Sequence, residues 1–261
     1  MDLSLKNKTA VVCGSTQGIG FASALELSKL GAHCVLIARN EASLQQAIAQ
    51  LDVSQGQAHR FLVADFDQPE TVKAAIEKFV ETNAVHILVN NSGGPASGPI
   101  TEANESDFLA TFNRHLICNH ILAKAVIPSM KKEGYGRIIN IISTSVKVPL
   151  PNLGVSNTIR GAVASWAKTM ANELGQFNIT VNNVLPGATK TQRLESIISN
   201  NASKKNIAID EVEKEMMKEI PMKRFAEPGE LANVVAFLAS PAASYVNGVS
   251  LPVDGGRTGS I

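Results

Sequence analysis

Short apolar runs alternate with longer segments of helical periodicity along the whole chain, and this alternation limits the fold more than any other feature. Residues 9–13 and 33–38 are two such runs, and each leads into a segment whose apolar residues recur at helical spacing. The runs are apolar throughout rather than at every second residue, which is typical of strands covered by helices on both faces. We therefore predict an α/β fold built on a doubly wound parallel sheet, a Rossmann-type domain.

The pattern continues to the end of the 261-residue chain without a linker or a repeat, so we expect one domain over 1–261. Strands are predicted at 9–13, 33–38, 60–64, 86–90, 136–142, 179–185 and 249–253, and helices at 21–30, 41–51, 70–81, 107–130, 158–176 and 228–239. Only the segment 195–225 differs, because it is polar and rich in Lys and Glu. It is either a solvated helical insertion or a lid over a ligand cleft, since ligands bind beyond the carboxyl ends of such strands.

Composition excludes several classes of function. The formal net charge is +1 and aromatic residues make up 5% of the chain, which disfavours nucleic-acid binding. Cys13, Cys34 and Cys118 are an odd number without close spacing, so neither a disulfide framework nor a metal site is indicated. No signal-peptide core or apolar run of membrane-spanning length is present. We expect a soluble, reduced, cytoplasmic protein that has no membrane partner.

A glycine-rich turn joins the first predicted strand to the first helix. It reads Gly14, Ser15, Thr16, Gln17, Gly18, Ile19 and Gly20. Glycines at such a turn let the backbone approach a pyrophosphate, which then lies against the N–H groups and the positive dipole end of the helix. The alternative is that the glycines serve steric needs of the turn alone. The position between a buried strand and an apolar helix favours dinucleotide binding.

Arg39 is the one charged residue at the end of the second predicted strand, where an NAD site offers a carboxylate to the ribose. A basic residue there suits the 2′-phosphate of NADP, so we expect NADP(H) rather than NAD(H). The alternative is a solvated residue with no ligand.

Further motifs follow the later strands, and together they resemble the short-chain dehydrogenase/reductase family, in its branch like 3-oxoacyl-carrier-protein reductases. These residues are Asp65, Phe66, Asn90, Ser92, Gly93, Ser143, Pro186, Gly187 and Thr191. The resemblance covers nearly the whole chain. It implies that the glycine turn binds pyrophosphate, that Asp65 meets the adenine, and that Asn90, Ser92 and Gly93 lie along the adenine ribose and the nicotinamide side. It also implies that Pro186, Gly187 and Thr191 hold the nicotinamide amide, and that the protein forms a homodimer or homotetramer.

The sequence departs from that family at the reacting centre. The family uses a Ser, which Ser143 matches, and a Tyr-x-x-x-Lys pair in which the Tyr gives the substrate oxygen its proton and the Lys holds the nicotinamide ribose. Ser156 and Arg160 occupy the two corresponding positions, and His115 replaces the Asn of the long helix. The chain has only two tyrosines, and neither has a Lys four positions later.

The residues that remain suggest one catalytic hypothesis. Ser143 and Ser156 hold a carbonyl, Arg160 stabilises developing negative charge and anchors the ribose, and His115 or a bound water supplies the proton. Lys147 and Lys190 are candidate anchors for the substrate. The alternative for His115 and Arg160 is a purely structural role.

We therefore expect an NADP(H)-dependent oxidoreductase that acts on a small carbonyl compound or alcohol with a non-standard centre. A non-catalytic dinucleotide-binding sensor or assembly protein is the rival, because both Tyr and Lys are absent. A third reading is an enzyme of another reaction type that uses the nicotinamide structurally.

Overall fold

The computed structural model describes residues 1–260 and contains a seven-stranded, fully parallel sheet of order β3-β2-β1-β4-β5-β6-β7. Its strands are β1 (Thr9–Cys13), β2 (His33–Ala38), β3 (Arg60–Val63), β4 (Ile87–Asn90), β5 (Gly136–Ile141), β6 (Ile179–Pro186) and β7 (Ser250–Val253). The strand order reverses between β1 and β4, which leaves a crevice at their carboxyl ends. The predicted doubly wound α/β fold is confirmed.

Helices cover both faces of the sheet. They are α1 (Gly18–Lys29), α2 (Glu41–Ile48), α3 (Pro69–Val80), α4 (Glu105–Phe112), α5 (Cys118–Glu133), α6 (Gly154–Leu174), α7 (Gln192–Lys205), α8 (Ile209–Lys218) and α9 (Pro228–Ala239). The neighbouring β1 residues Val11 and Val12 belong to two different cores. Val11 packs with α3, α5 and α6, whereas Val12 packs with α1, α2 and α9. Burial on both sides explains why the strands are apolar throughout.

Two helices differ from their predicted bounds in ways that affect the site. The helix predicted over 107–130 is interrupted by a π-helical turn, Asn113–Ile117, between α4 and α5. A π-turn inserts an extra residue and re-aims the side chains beside it, and here it buries His115. Helix α6 begins at Gly154 rather than at residue 158, which brings Ser156 into its first turn.

The polar segment 195–225 is helical rather than irregular. It contains most of α7 and all of α8, whose apolar residues form a small core of their own. The buried members of this core are Leu194, Ile198, Ala202, Val212, Ile220 and Phe225. Within residues 1–260, no helix combines the length and the apolar character that a membrane crossing requires.

Candidate active site

A cavity of about 1240 Å³ lies across the carboxyl ends of the strands, and the glycine turn forms its floor. Gly14 and Gly18 both have left-handed backbone, with φ of 56° and 58°. A Cβ on Gly14 would lie 2.7 Å from the carbonyl oxygen of Asn91, and one on Gly20 would lie 2.3 Å from that of Gly14. Only glycine fits these two positions, because a side chain there would clash with the chain itself. Gly14 and Gly18 line the cavity, whereas Gly20 is buried within α1.

The start of α1 suits a phosphate group. Gln17, the N-cap, has extended backbone and makes no capping hydrogen bond through its side chain, and the first turn holds no acidic residue. The first N–H groups of the helix therefore have no side-chain acceptor and no competing negative charge. With the glycine floor, this end of α1 fits the pyrophosphate of a dinucleotide.

The predicted turn residues divide between the cavity and the interior. Gly14, Thr16, Gln17, Gly18 and Ile19 line the cavity. Ser15 is fully buried, and its hydroxyl donates to the Val12 carbonyl oxygen at 2.8 Å, so it shapes the turn from below.

Charged residues after β2 and β3 form one end of the cavity. Arg39 lines it with a side chain that is 70% exposed, and its guanidinium lies 3.9 Å from a carboxylate oxygen of Asp67. Asp67 is held more closely by Arg114, whose Nε donates to it at 2.6 Å. Asp65 and Phe66 line the same end. Arg39 is thus held only loosely and can turn toward an anion.

The structure separates the neighbours Asn90 and Asn91. Asn90, a predicted cofactor residue, is buried, and its amide donates to Oδ1 of Asn140 at 2.8 Å inside the sheet. Asn91, which sequence reasoning did not select, lines the cavity. Its amide donates to the carbonyl oxygens of Cys13 and Gly14 at 3.2 and 3.1 Å and so fixes the glycine turn against β4. The signal for Asn91 was its place directly after β4, because ligands bind beyond the carboxyl ends of such strands.

The reacting-centre candidates Ser143, Ser156 and Arg160 line one cavity together with Pro186, Gly187 and Thr191, as well as Ser92 and Gly93. Arg160 is 8% exposed, and its Nη1 donates to the Ile141 carbonyl oxygen at 2.8 Å. Burial, followed by the positive charge of Arg193, lowers the pKa of Arg160 to about 10. Arg160 therefore remains a cation at neutral pH.

His115 does not lie on the cavity wall. It is 1% exposed and sits behind Ser92, whose hydroxyl lies 2.6 Å from Nδ1 of the ring. Burial, and then the charges of Arg160 and Arg114, hold the pKa of His115 well below its ordinary value of 6.5. A buried, neutral imidazole cannot hand a proton directly to a ligand in the cavity, which corrects the direct role expected for it.

The two lysines expected to anchor a substrate also lie outside the cavity wall. Lys147 is exposed, and Lys190 forms an ion pair with Glu227 at 2.5 Å. Arg193, which the sequence reasoning missed, lines the cavity instead and donates from Nη2 to the Pro95 carbonyl oxygen at 2.6 Å. Its signal was its place in the first turn of the helix that follows Thr191.

The segment 195–225 forms one wall of the same cavity. Ile197 and Asn201 of α7, and Val212 and Met216 of α8, face into it. The same wall also carries Lys205, Glu215 and Glu219, so it presents both apolar and charged groups to the cavity.

The strand order, the glycine floor and the phosphate-compatible helix end define a Rossmann-type nucleotide-binding protein. Residues 14–258 match the sequence family described as enoyl-(acyl carrier protein) reductase. The NADPH-dependent reductase BacG of Bacillus subtilis is 30% identical in an alignment that covers 98% of this chain and 100% of BacG. The 3-oxoacyl-[acyl-carrier-protein] reductase FabG of Pseudomonas aeruginosa is 33% identical, with 97% of this chain and 98% of FabG covered.

The solved structures agree with these relatives. The L-sorbose reductase of Gluconobacter frateurii, crystallised with NADPH and L-sorbose, superposes with a TM-score of 0.93 at 32% identity over 100% of both chains. This chain therefore belongs to the short-chain dehydrogenase/reductase family.

Proposed function

We propose that the protein is an NADP(H)-dependent oxidoreductase that interconverts a carbonyl compound and its alcohol, similar to 3-oxoacyl reductases but with a non-standard catalytic centre. One observation carries the proposal: the glycine turn, Ser143 and the Thr191 loop line a single cavity. The relatives named above, of which BacG is an NADPH-dependent reductase, support the cofactor and the class of reaction.

The residues of the cavity fit NADP(H) along its whole length. The N–H groups of the Gly14–Gly20 turn and of α1 would hold the pyrophosphate, and Arg39 the 2′-phosphate. Asp65 and Phe66 would meet the adenine, and Pro186, Gly187 and Thr191 the nicotinamide end. When bound, the nicotinamide supplies or accepts the hydride.

The protein side of the reaction falls to Ser143, Ser156 and Arg160. The two hydroxyls donate hydrogen bonds to the carbonyl oxygen, and the Arg160 cation stabilises the negative charge that grows on it. A serine hydroxyl is a far weaker acid than a phenol, whose pKa is ~10, so neither serine replaces the tyrosine as proton donor. With His115 buried behind Ser92, we assign the proton to a water in the cavity and a positioning role to His115.

Catalysis without the usual acid is expected to be slow. General acid–base assistance typically contributes ~10²–10⁴-fold to a rate. The absence of both Tyr and Lys also favours a second candidate, a dinucleotide-binding sensor or assembly protein that does not turn over its ligand.

Fluorescence titration with NADPH and NADH, followed by a ketone and alcohol screen read at the nicotinamide absorbance, separates the candidates. We expect NADPH to bind more tightly than NADH and at least one ketone to oxidise it, with Ser143→Ala lowering kcat at unchanged NADPH affinity. Tight NADPH binding with no oxidation across the screen would favour the sensor. Failure to bind either cofactor would exclude both the oxidoreductase and the dinucleotide-binding sensor.

The segment 195–225 is proposed as a substrate lid, because it lines the cavity while its apolar residues pack in a separate core. A cytoplasmic location and a homodimer or homotetramer stay predictions. Light scattering of the purified protein measures the oligomeric state.

A further inference from the structure

Most of the cations that line the cavity are already paired with a carboxylate. Arg114 pairs with Asp67, Lys205 with Glu215 at 2.5 Å, and Arg257 with Glu219 at 2.5 Å. Arg39 has Asp67 at 3.9 Å. Within residues 1–260, Arg160 and Arg193 line the cavity and form no salt bridge. Two positive charges are therefore left without a counter-charge near the reacting centre.

Arg160 is a buried cation with unused hydrogen-bonding capacity. Only its Nη1 is satisfied, by the Ile141 carbonyl oxygen at the end of β5. Its Nε is buried and has no partner in the described chain. A buried cation without a counter-charge costs free energy, which the negative charge of an anion bound in the cavity would offset.

Arg193 approaches the cavity from another wall. It belongs to the first turn of α7, and its Nη2 reaches the Pro95 carbonyl oxygen in the loop after β4. It lies near enough for its charge to lower the pKa of Arg160, and burial lowers the pKa of Arg193 itself. Like charges this close repel, and an anion bound between them removes that cost.

We propose that Arg160 and Arg193 together bind an anionic group, a carboxylate or a phosphate, carried by the carbonyl substrate. Guanidinium groups match both anions because their planar forks donate paired hydrogen bonds. The inference rests on the proposed function and adds the substrate class to it, namely oxo acids or oxo phosphates. In the reduction, the carbonyl carbon gains the hydride of NADPH, which becomes NADP⁺, and the oxygen gains a proton from water. The hydroxide that remains takes up a proton from the solvent, and the anionic group is unchanged.

The phosphates of NADP(H) are the competing anions. They are expected at the glycine turn and at Arg39, whereas Arg160 and Arg193 lie with Ser143 and Ser156. If Arg193 serves the substrate, its loss must spare the cofactor. This requirement makes the affinity for NADPH a part of the test.

Calorimetry on the NADP⁺-loaded protein tests the proposal without turnover. Two matched pairs of probes are used: acetoacetate against methyl acetoacetate, and dihydroxyacetone phosphate against dihydroxyacetone. We expect the anion to bind at least about tenfold more tightly than its neutral partner in one pair, and the pair that responds tells carboxylate from phosphate.

Three variants locate the effect. Arg193→Gln is expected to abolish most of the preference for the anion, and Arg193→Lys, which keeps the charge but not the fork, to retain part of it. Lys205→Gln removes another cation of the same cavity, one already paired with Glu215, and is expected to keep the wild-type preference. NADPH affinity is expected to stay within about twofold of wild type in all three.

Equal binding of anion and neutral partner in both pairs would overturn the proposal. So would a loss of NADPH affinity in Arg193→Gln as large as the loss of anion affinity, because Arg193 would then serve the cofactor. The binding measurements also separate failure of the anion site from failure of the proposed reductase activity. An anion preference with no oxidation of NADPH by any of the four compounds would support the anion site and count against the reductase.

Discussion

Arg39 is the residue on which the choice between the two nicotinamide cofactors depends. Its side chain is 70% exposed at the adenine end of the cavity, and its contact with Asp67 is long enough to release. A hydrogen-bonded ion pair with the 2′-phosphate is lost when the guanidinium is removed. We predict that Arg39→Ala raises the Kd for NADPH about tenfold and leaves that for NADH nearly unchanged, measured by fluorescence titration.

Arg60→Ala provides the matched control. Arg60 is also exposed, lies on the neighbouring strand β3, and donates to Oδ1 of Asn83 rather than lining the cavity. Its removal changes the net charge as Arg39→Ala does, so both affinities are expected to stay at wild-type values. Equal weakening of NADPH and NADH by Arg39→Ala would contradict the assignment of the 2′-phosphate.

His115 makes stability depend on pH. Its pKa in the folded protein lies well below 6.5, chiefly through burial, so below about pH 6.5 the unfolded chain binds a proton that the folded chain does not. The free energy of unfolding therefore falls as the pH decreases below 6.5 and is constant above it as far as His115 is concerned. We predict that His115→Gln flattens this dependence, measured by urea unfolding between about pH 5 and 7.

His86 and His120 provide comparisons for this effect of His115 on stability. Burial also lowers the pKa of the buried His86, so a residual slope is expected in the His115 variant. His120→Gln, at an exposed position on α5, is expected to keep the wild-type slope. An unchanged slope in His115→Gln would show that the ring is protonated in the folded protein, and would restore it as a candidate acid.

For single residues, the sequence predicts the place in the fold better than the direction in which the side chain points. The resemblance placed Ser143, Ser156 and Arg160 together, and all three line the cavity. Asn90 is the last residue of β4 and is buried in the sheet, whereas Asn91 follows the strand and lines the cavity, and this boundary could not be set from the sequence to one residue. Lys147 and Lys190 were chosen because they are cations on loops expected to border the cleft, and the carboxylate that pairs with Lys190 is far away in sequence.

At the scale of elements, a row of polar side chains crosses four adjacent strands of the sheet. Asn90, Asn140, Asn183 and Ser250 are neighbours in register across β4 to β7, and each side chain hydrogen-bonds to the next at 2.8–3.0 Å. The row runs through the sheet and joins four adjacent strands by side-chain hydrogen bonds.

Asn140 is the residue through which the row is most easily broken. It is fully buried and both accepts from Asn90 and donates to Asn183, so Asn140→Ala leaves two buried polar groups without partners. We predict a loss of about 2–4 kcal/mol in the free energy of unfolding, measured in urea. Asn113→Ala, at an exposed position, is expected to cost almost nothing. A loss below about 0.5 kcal/mol in Asn140→Ala would mean that the row contributes nothing to stability.

The helices and strands were largely predictable, because a strand that is apolar on both faces must be covered by helices on both sides. The bounds of β1, β2 and α9 agree with the sequence pattern. The π-turn in 113–117 could not be predicted, since helical periodicity continues through it and only tertiary packing selects the extra residue. For the same reason, the burial of His115 could not be predicted from the sequence.

At the scale of the whole molecule, the apolar residues divide into cores of different extent. Two large cores cover the faces of the sheet, and a small third core holds α7 and α8 together with the chain up to Phe225. A small satellite core contributes less burial than a sheet face, and segments of this kind open with less free energy than the global unfolding. The proposed lid is thus attached to the sheet but packed mainly on itself.

Ile198→Ala tests this division. Ile198 is 4% exposed in the third core. Deleting its buried methyl groups lowers the free energy of global unfolding by about 2–5 kcal/mol only if the third core unfolds together with the sheet. We predict faster hydrogen exchange in 192–218 with unchanged exchange in β1 and β4, a small change in Tm, and a several-fold rise in KM for a ketone at unchanged NADPH affinity. Leu122→Ala, in a large core, is expected to lower Tm and to speed exchange throughout. If Ile198→Ala lowers Tm as much as Leu122→Ala and speeds exchange in every strand, α7 and α8 unfold with the sheet and cannot act as a separate lid.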